Sequence, residues 1–222
     1  MSEVSTKLRN VEMDRITIEE LRGVASLSAD WDTLGWVHFQ KGNTDLAEKY
    51  ITAAWRLGEH GEVGQHLGEI LEKRGNKEEA IAMYARAVVA DRRVPESRES
   101  LERLAGKERS AALIKQAEEE SRDSRTVKLG PVAKNLKAMV QGAFFVVLVP
   151  GPSRVAQVAE VKFISGDERL KPLSAALKTA NYNLVFPDEA RTKVIRRGTL
   201  FCQPNGECSF FMMSPDLVFS VD

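Results

Sequence analysis

The sequence predicts a multi-domain chain: an all-α, right-handed solenoid of helical hairpins, then a small α+β domain with a mainly antiparallel sheet. Three observations carry this. Leu34-Gly35, Gly42-Asn43, Ala47, Ile51 and Ala54 return 33 residues on as Leu67-Gly68, Gly75-Asn76, Ala80, Tyr84 and Ala87. A fixed period of this size marks stacked helical pairs. After Ser124 the pattern changes to β-branched and aromatic runs punctuated by Pro and Gly. Finally, 222 residues suffice for one or two domains with a core that needs no staples.

Ser2 to Asn10 reads as the tail of a helix. Thr17 with Glu20 offers a capping box that opens a flanking helix, over about 16–27. The first repeat, about 28–60, follows. Its first helix is expected over Asp30–Gln40, with Trp31, Leu34, Trp36 and Val37 as apolar faces. Gly42-Asn43 breaks it. The second helix, Thr44–Leu57, carries Leu46, Ala47, Tyr50, Ile51, Ala54 and Leu57 at intervals of three and four. Residues 61–74 and 77–90 repeat the pair within a second unit of about 61–94. Gly35, Gly68, Ala47 and Ala80 are small where neighbouring helices must approach closely.

These residues resemble the tetratricopeptide repeat, whose pattern is W-x-x-L-G-x-x-Y followed by A-x-x-x-F and a later alanine. Trp31, Leu34, Gly35, Ala47, Ile51 and Ala54 supply it first; Leu67, Gly68, Ala80, Tyr84 and Ala87 supply it again. The departures are Gly64 at the place of Trp31, His38 and Leu71 at the family tyrosine, and a period one residue shorter than usual. The resemblance implies helical hairpins with a concave, partner-binding groove.

Pro95 ends the second repeat, and Glu96–Leu104 reads as one more helix that closes a helical domain over 1–105. Residues 106–125 are strongly charged with a thin apolar stripe (Leu113, Ile114, Ala117), which predicts a solvated capping or linking helix. The α+β domain then occupies 126–222. Its strands are expected at Thr126–Leu129, Phe144–Val149, Val155–Ile164, Tyr182–Phe186, Lys193–Cys202 and Cys208–Met213. Leu170, Leu173, Leu177 and Ala180 share a helical face, with Pro172 in the first turn. Asn205-Gly206 between apolar runs signals a hairpin.

Val161-Lys162-Phe163-Ile164-Ser165-Gly166, Leu170, Ala175-Ala176-Leu177, Tyr182 and Phe186-Pro187 resemble the C-terminal domain of TonB-type energy transducers. The hairpin around Asn205-Gly206 departs from that family. The whole chain also looks like the C-terminal end of large bacterial, notably acidobacterial, repeat proteins with an upstream transglutaminase-like domain. That likeness rests on Trp31 to Val37, Phe163 to Gly166, and Arg196 to Leu200 with Cys202 and Cys208. It implies that any catalytic domain lies outside this chain.

Thirty-two basic and 32 acidic residues balance to zero net charge. This argues against nucleic acid, whose binding needs a basic surface. The apolar run Ala143–Pro150 is too short to span a bilayer, and the first residues carry no apolar leader. The expected partner is therefore a protein or peptide. No nucleic acid, membrane insertion, small-molecule ligand, cofactor or metal is expected.

Catalysis by a nucleophile needs a base within reach. His38, His60 and His66 all lie in the repeats, whereas Cys202 and Cys208 lie far along the chain. No phosphate-binding glycine loop is present. His60 and His66, with glycines among them, are expected as solvated turn residues.

The candidate partner groove comprises Trp36, Phe39 and Gln40, which fall where repeats of the resembled family often line the concave face. Packing against a preceding helix is the alternative. Glu69, Glu72 and Lys73 are their equivalents and would form a polar, mainly acidic end or a solvated helix face. Lys193, Arg196 and Arg197 read as an anion site or as edge-strand protection. Cys202 and Cys208 face each other across the expected hairpin. A disulfide there would favour a periplasmic or exported protein; a reduced pair would favour the cytoplasm.

The expected function is a non-enzymatic protein–protein interaction or scaffold module of the bacterial cell envelope, binding a peptide or helix in its groove. The alternative is an accessory C-terminal region that positions an upstream transglutaminase-like catalytic domain.

Overall fold

A computed structural model describes residues 18–91, 93–121, 125–187 and 193–212, with side chains from Leu27 onward. The expectations for Ser2–Asn10, Thr17, Arg122-Asp123 and Met213 lie outside the described residues. Six helices precede a five-stranded antiparallel sheet among the described residues. The chain divides into two compact units. Of the described residues, one holds those within 28–121 with 185–187; the other holds 18–27, 125–184 and 193–212.

Helix α1 runs unbroken over Ile18–Gln40, where the sequence suggested a flanking helix and a separate start at Asp30. Ala25-Ser26-Leu27-Ser28-Ala29 contains no residue that stops a helix, so it continues. The stop comes at Gly42, with φ +79. Gly42 N–H donates to Phe39 O (2.9 Å) and Asn43 N–H to His38 O (2.9 Å). Helix α2 then spans Thr44–Gly58, α3 Gly61–Lys73 and α4 Lys77–Ala90. The end of α3 repeats the geometry: Gly75 has φ +82, Gly75 N–H donates to Glu72 O (2.9 Å) and Asn76 N–H to Leu71 O (3.0 Å). Both ends are Schellman motifs, which need a residue free to adopt positive φ. That is the physical content of the repeated Gly-Asn.

Helix pairs close on their small residues. A Cβ at Gly35 would lie 2.5 Å from Ile51 Cγ1, and one at Gly68 only 2.4 Å from Tyr84 Cε1. Gly64, the departure at the place of Trp31, has a reason too. The Trp55 ring of α2 fills that space, and a Cβ at Gly64 would lie 2.8 Å from it and 2.7 Å from Ala87 Cβ. Ala47, Ile51, Ala54, Ala80, Tyr84 and Ala87 are all fully buried. Leu34 and Val37 differ from expectation: they are exposed, whereas their equivalents Leu67 and Ile70 are buried. Helix α3 is packed against α2 and α4, while α1 is the first helix described.

Helix α5 (Pro95–Ala105) starts on Pro95, and Gly106 at φ +80 separates it from α6 (Lys107–Ser121). Both pack on α4. Helix α6 buries Ser110 and Ala117, and its charges reach sideways: Arg109 pairs with Glu78 at 2.6 Å and Glu120 with Arg86 at 3.2 Å.

The sheet comprises β1 (Thr126–Pro131), β2 (Val140–Pro150), β3 (Ala156–Gly166), β4 (Val194–Cys202) and β5 (Glu207–Met212), in the order β1-β5-β4-β2-β3. The aromatic and β-branched run Phe144–Val149 lies in β2, next to the centre, with Phe144, Val146, Val147 and Leu148 buried. The Tyr182 ring meets Phe210 edge-on at 6.1 Å, and its hydroxyl donates to Leu177 O at 2.9 Å.

Two expected elements are altered. The helix over 170–180 is a 3-10 segment, Glu168–Leu173, followed by the short α7 (Ser174–Thr179). Pro172 lies beyond the positions where a missing N–H is free of cost, so an α-helical bond to Glu168 cannot form. Tyr182–Phe186 is not a strand; only Val185 forms a bridge. Asn183 has φ +50, and its N–H donates to Asn181 Oδ1 at 2.8 Å, which turns the backbone out of an extended path.

Candidate functional site

The unit formed by residues 28–124 carries an open groove of about 620 Å³. Helix α1 supplies Trp36; α3 supplies Glu62, Gln65, His66 and Glu69, with His60 at its N-cap. The connection from α4 into α5 closes the far side with Asp91, Arg93, Val94, Pro95 and Glu96. Glu62, Gln65, His66 and Glu69 share one helix face because they follow at three- and four-residue intervals.

The aromatic wall is built from three rings. Trp36 stacks on Phe39, one helical turn away, with centroids 5.1 Å apart. The His66 ring lies against Trp36 at 4.1 Å and 16°. Its Nδ1 sits 2.9 and 3.1 Å from the Asp32 carboxylate oxygens. A carboxylate only accepts, so Nδ1 carries the proton. His66 is therefore a half-buried, mid-helix residue and not a turn histidine. The glycines that suggested a loop, Gly61 and Gly64, lie inside α3, where each permits a close approach. His60 is exposed.

Of the candidate residues from sequence, the groove brings together Trp36 and Glu69. Phe39 backs Trp36. Gln40 and Lys73 are exposed at the last turns of α1 and α3. Glu72 is engaged internally. Arg103 of α5 holds it with two bonds of 2.8 and 2.7 Å, and Tyr84 of α4 donates to it at 3.1 Å. Arg103 above all, with help from Tyr84 and against the effect of burial, holds the Glu72 carboxyl below its ordinary value. Burial first, then the Glu72 charge, pushes the Tyr84 phenol up.

Gln65, Glu62, Glu96 and the His66–Asp32 pair were not singled out from sequence. Gln65, His66 and Glu69 form an i, i+1, i+4 set that helical geometry could have collected. Gln65 is buried, and its Nε2 donates to Glu69 Oε1 at 2.9 Å. Asp91 is paired with Arg93 through contacts of 2.9, 3.0 and 2.9 Å, which hold its carboxyl down at about 2.

Chemically, the described lining offers carboxylates, an amide and imidazoles, and no serine, threonine, cysteine or lysine to act as a nucleophile. Among the described residues no group of His, Cys, Asp or Glu could hold a metal ion, and no helix is long and apolar enough to cross a membrane.

The basic segment lies elsewhere than edge protection would require. Strand β4 is internal, between β5 and β2. Arg196 is buried, and Arg197 has buried Nε and Nη1 atoms with no hydrogen-bond partner among the described residues. Cys202 and Cys208 are direct cross-strand partners with Cα atoms 4.2 Å apart and are joined by a disulfide. The connecting turn uses Gly206 at φ +91, while Asn205 Oδ1 accepts from Glu207 N–H at 3.0 Å.

Residues 65–93 match the family model of the tetratricopeptide repeat. The matched stretch contains most of α3, all of α4 and the segment to Arg93. Neither the curated proteins nor the solved structures compared with the chain gave a match. A tetratricopeptide repeat suggests a protein–protein interaction.

Proposed function

We propose that this chain is a non-enzymatic interaction module whose helical unit binds a peptide or helix of a partner protein along the groove between Trp36 and Glu96. One observation carries the reading: the residues that match the tetratricopeptide repeat include Gln65, His66, Glu69, Asp91 and Arg93 of the groove lining. Concave surfaces of stacked helical pairs serve as extended binding sites. A role in the cell envelope is supported by the Cys202–Cys208 bond, since disulfides persist in oxidising compartments. Further support for docking comes from β3, an 11-residue edge strand to which an extended segment could add.

The test is selection from a displayed random peptide library against the full chain, with Trp36→Ala as counter-target. Peptides that bind the native chain and lose binding to Trp36→Ala support the groove. Peptides indifferent to that change, or the absence of enrichment, would refute it.

A further inference from the structure

We infer that this chain pairs with a second copy of itself through the outer face of α1. Asp30, Leu34, Val37 and Lys41 of one protomer meet Lys41, Val37, Leu34 and Asp30 of its partner. The inference is independent of the groove, because Trp36 does not belong to this stripe.

The four residues follow at intervals of four, three and four, so they share one side of the helix. Lys41 N–H still donates to Val37 O at 3.2 Å, so the helical path reaches it. Other residues of α1 turn inward: Gly35 meets Ile51 of α2, and Asp32 meets His66 of α3. Leu34 and Val37 stay 41 and 42 % exposed.

The second repeat shows what such a face is built for. The residues 33 positions on are Val63, Leu67, Ile70 and Arg74. Val63, Leu67 and Ile70 are buried, in a helix packed against α2 and α4. Arg74 pairs with Asp45 and Glu48 of α2, the latter at 2.6 Å. The face thus takes a neighbouring helix, and the cation at its end takes that helix's carboxylates. In α1 the same face is uncovered, and Lys41 has no ion pair among the described residues.

Asp30 selects the occupant. It stands where α3 has the buried Val63. Another stacked repeat would strip this carboxylate of water without giving it a partner, and Asp30 too has no ion pair among the described residues. The stripe itself supplies the missing cation. Its spacing reads the same from either end. A second α1, laid antiparallel about a two-fold axis midway between Gly35 and Trp36, sets Leu34 on Val37 and Asp30 on Lys41, each twice. Two-fold contacts require such self-complementarity, and charges flanking an apolar seam set the orientation of paired helices. A parallel copy would set Asp30 on Asp30 and Lys41 on Lys41. The stripe is only about 17 Å long at the helical rise, so the contact is at the small, weak end of specific interfaces.

The experiment is sedimentation equilibrium of the full chain at low ionic strength, at concentrations up to about 1 mM, where weak contacts associate. A monomer–dimer equilibrium is expected. Asp30→Lys and Lys41→Asp each put like charges together at both ends and should weaken the dimer by at least about tenfold. Asp30→Lys/Lys41→Asp reverses both pairs and should restore association. An equimolar mixture of the two single variants should form a heterodimer, since every charged pair across it is then opposite. Leu34→Ser/Val37→Ser should abolish the dimer. Circular dichroism melts confirm that each variant is folded.

A chain that stays monomeric at the highest concentration would overturn the inference and leave the face to a helix of another protein. A dimer that persists in Leu34→Ser/Val37→Ser would place the contact elsewhere and overturn it as well. Single charge variants that dimerise like the native chain would overturn the antiparallel pairing. So would a reversed double variant that regains nothing the single variants lose.

Discussion

His66 and Asp32 meet across α1 and α3, with Nδ1 2.9 Å from Oδ1, while the same imidazole lies flat on Trp36. One side chain thus fixes both the pairing of two repeats and the orientation of the groove's aromatic wall. The side chains retain only 16 and 12 % exposure, so the bond is shielded from competing water. Asp32→Ala should destabilise the fold by about 1–3 kcal/mol, because it leaves a shielded donor unpaired. A double-mutant cycle with His66→Ala should return a coupling of about 1 kcal/mol in denaturant melts. Additive losses would show that the pair contributes nothing beyond its separate contacts.

The close approaches at Gly35 and Gly68 can be tested by filling them. Gly35→Leu and Gly68→Leu each force a side chain into space held by Ile51 and Tyr84. Each should cost at least about 1–3 kcal/mol, the usual scale of overpacking. Thermal melts read the effect; unchanged midpoints would remove the close-packing argument for the repeats.

The Glu72–Arg103 pair has a pH signature. Arg103 lowers the Glu72 carboxyl below its ordinary value. A depressed carboxylate contributes stability above its unfolded pKa and loses it as pH falls through the folded one. Arg103→Met should therefore be less stable than the native chain at neutral pH. The gap should shrink as the solution is acidified below the ordinary carboxylate range. Melting temperatures across that range decide it, and a gap that stays constant or widens in acid would contradict the assignment.

The hairpin disulfide has a chemical test. Oxidised protein should contain no alkylatable thiol, and reduction should raise the intact mass by two hydrogens. Because the closed loop is short, with a sequence separation of 6, reduction should cost about 2 kcal/mol on the chain-entropy scale. Two reactive thiols in protein purified under oxidising conditions would remove the bond and with it the support for an exported protein.

Legibility in the sequence followed the range of the interaction. Gly42-Asn43 and Gly75-Asn76 were readable because a Schellman end is specified by the few residues that form it. The Asn205-Gly206 hairpin was readable for the same reason. The break expected before Asp30 does not form because nothing in Ala25-Ser26-Leu27-Ser28-Ala29 stops a helix. Pro172 was placed in a first turn, yet the helix it was to begin is 3-10 there. The groove was half legible: repeat register found Trp36 and Glu69. It could not find that Glu72 is claimed by Arg103, 31 residues away, or that His66 would stack on Trp36. Those depend on which helices meet, and α5 does not carry the repeated motif. Gly64, a departure from the repeat pattern, has its reason in Trp55, whose ring fills that place.

The central claim is that the groove along α3 is where this chain meets its partner. The most direct measurement is a backbone amide nuclear magnetic resonance titration of the full chain with a peptide chosen by library selection. The account predicts shifts concentrated at Trp36, Glu62, Gln65, His66, Glu69, Arg93, Val94 and Glu96, absent in the Trp36→Ala variant. Shifts confined to the sheet, along β3 or around Arg197, with the groove silent, would contradict it.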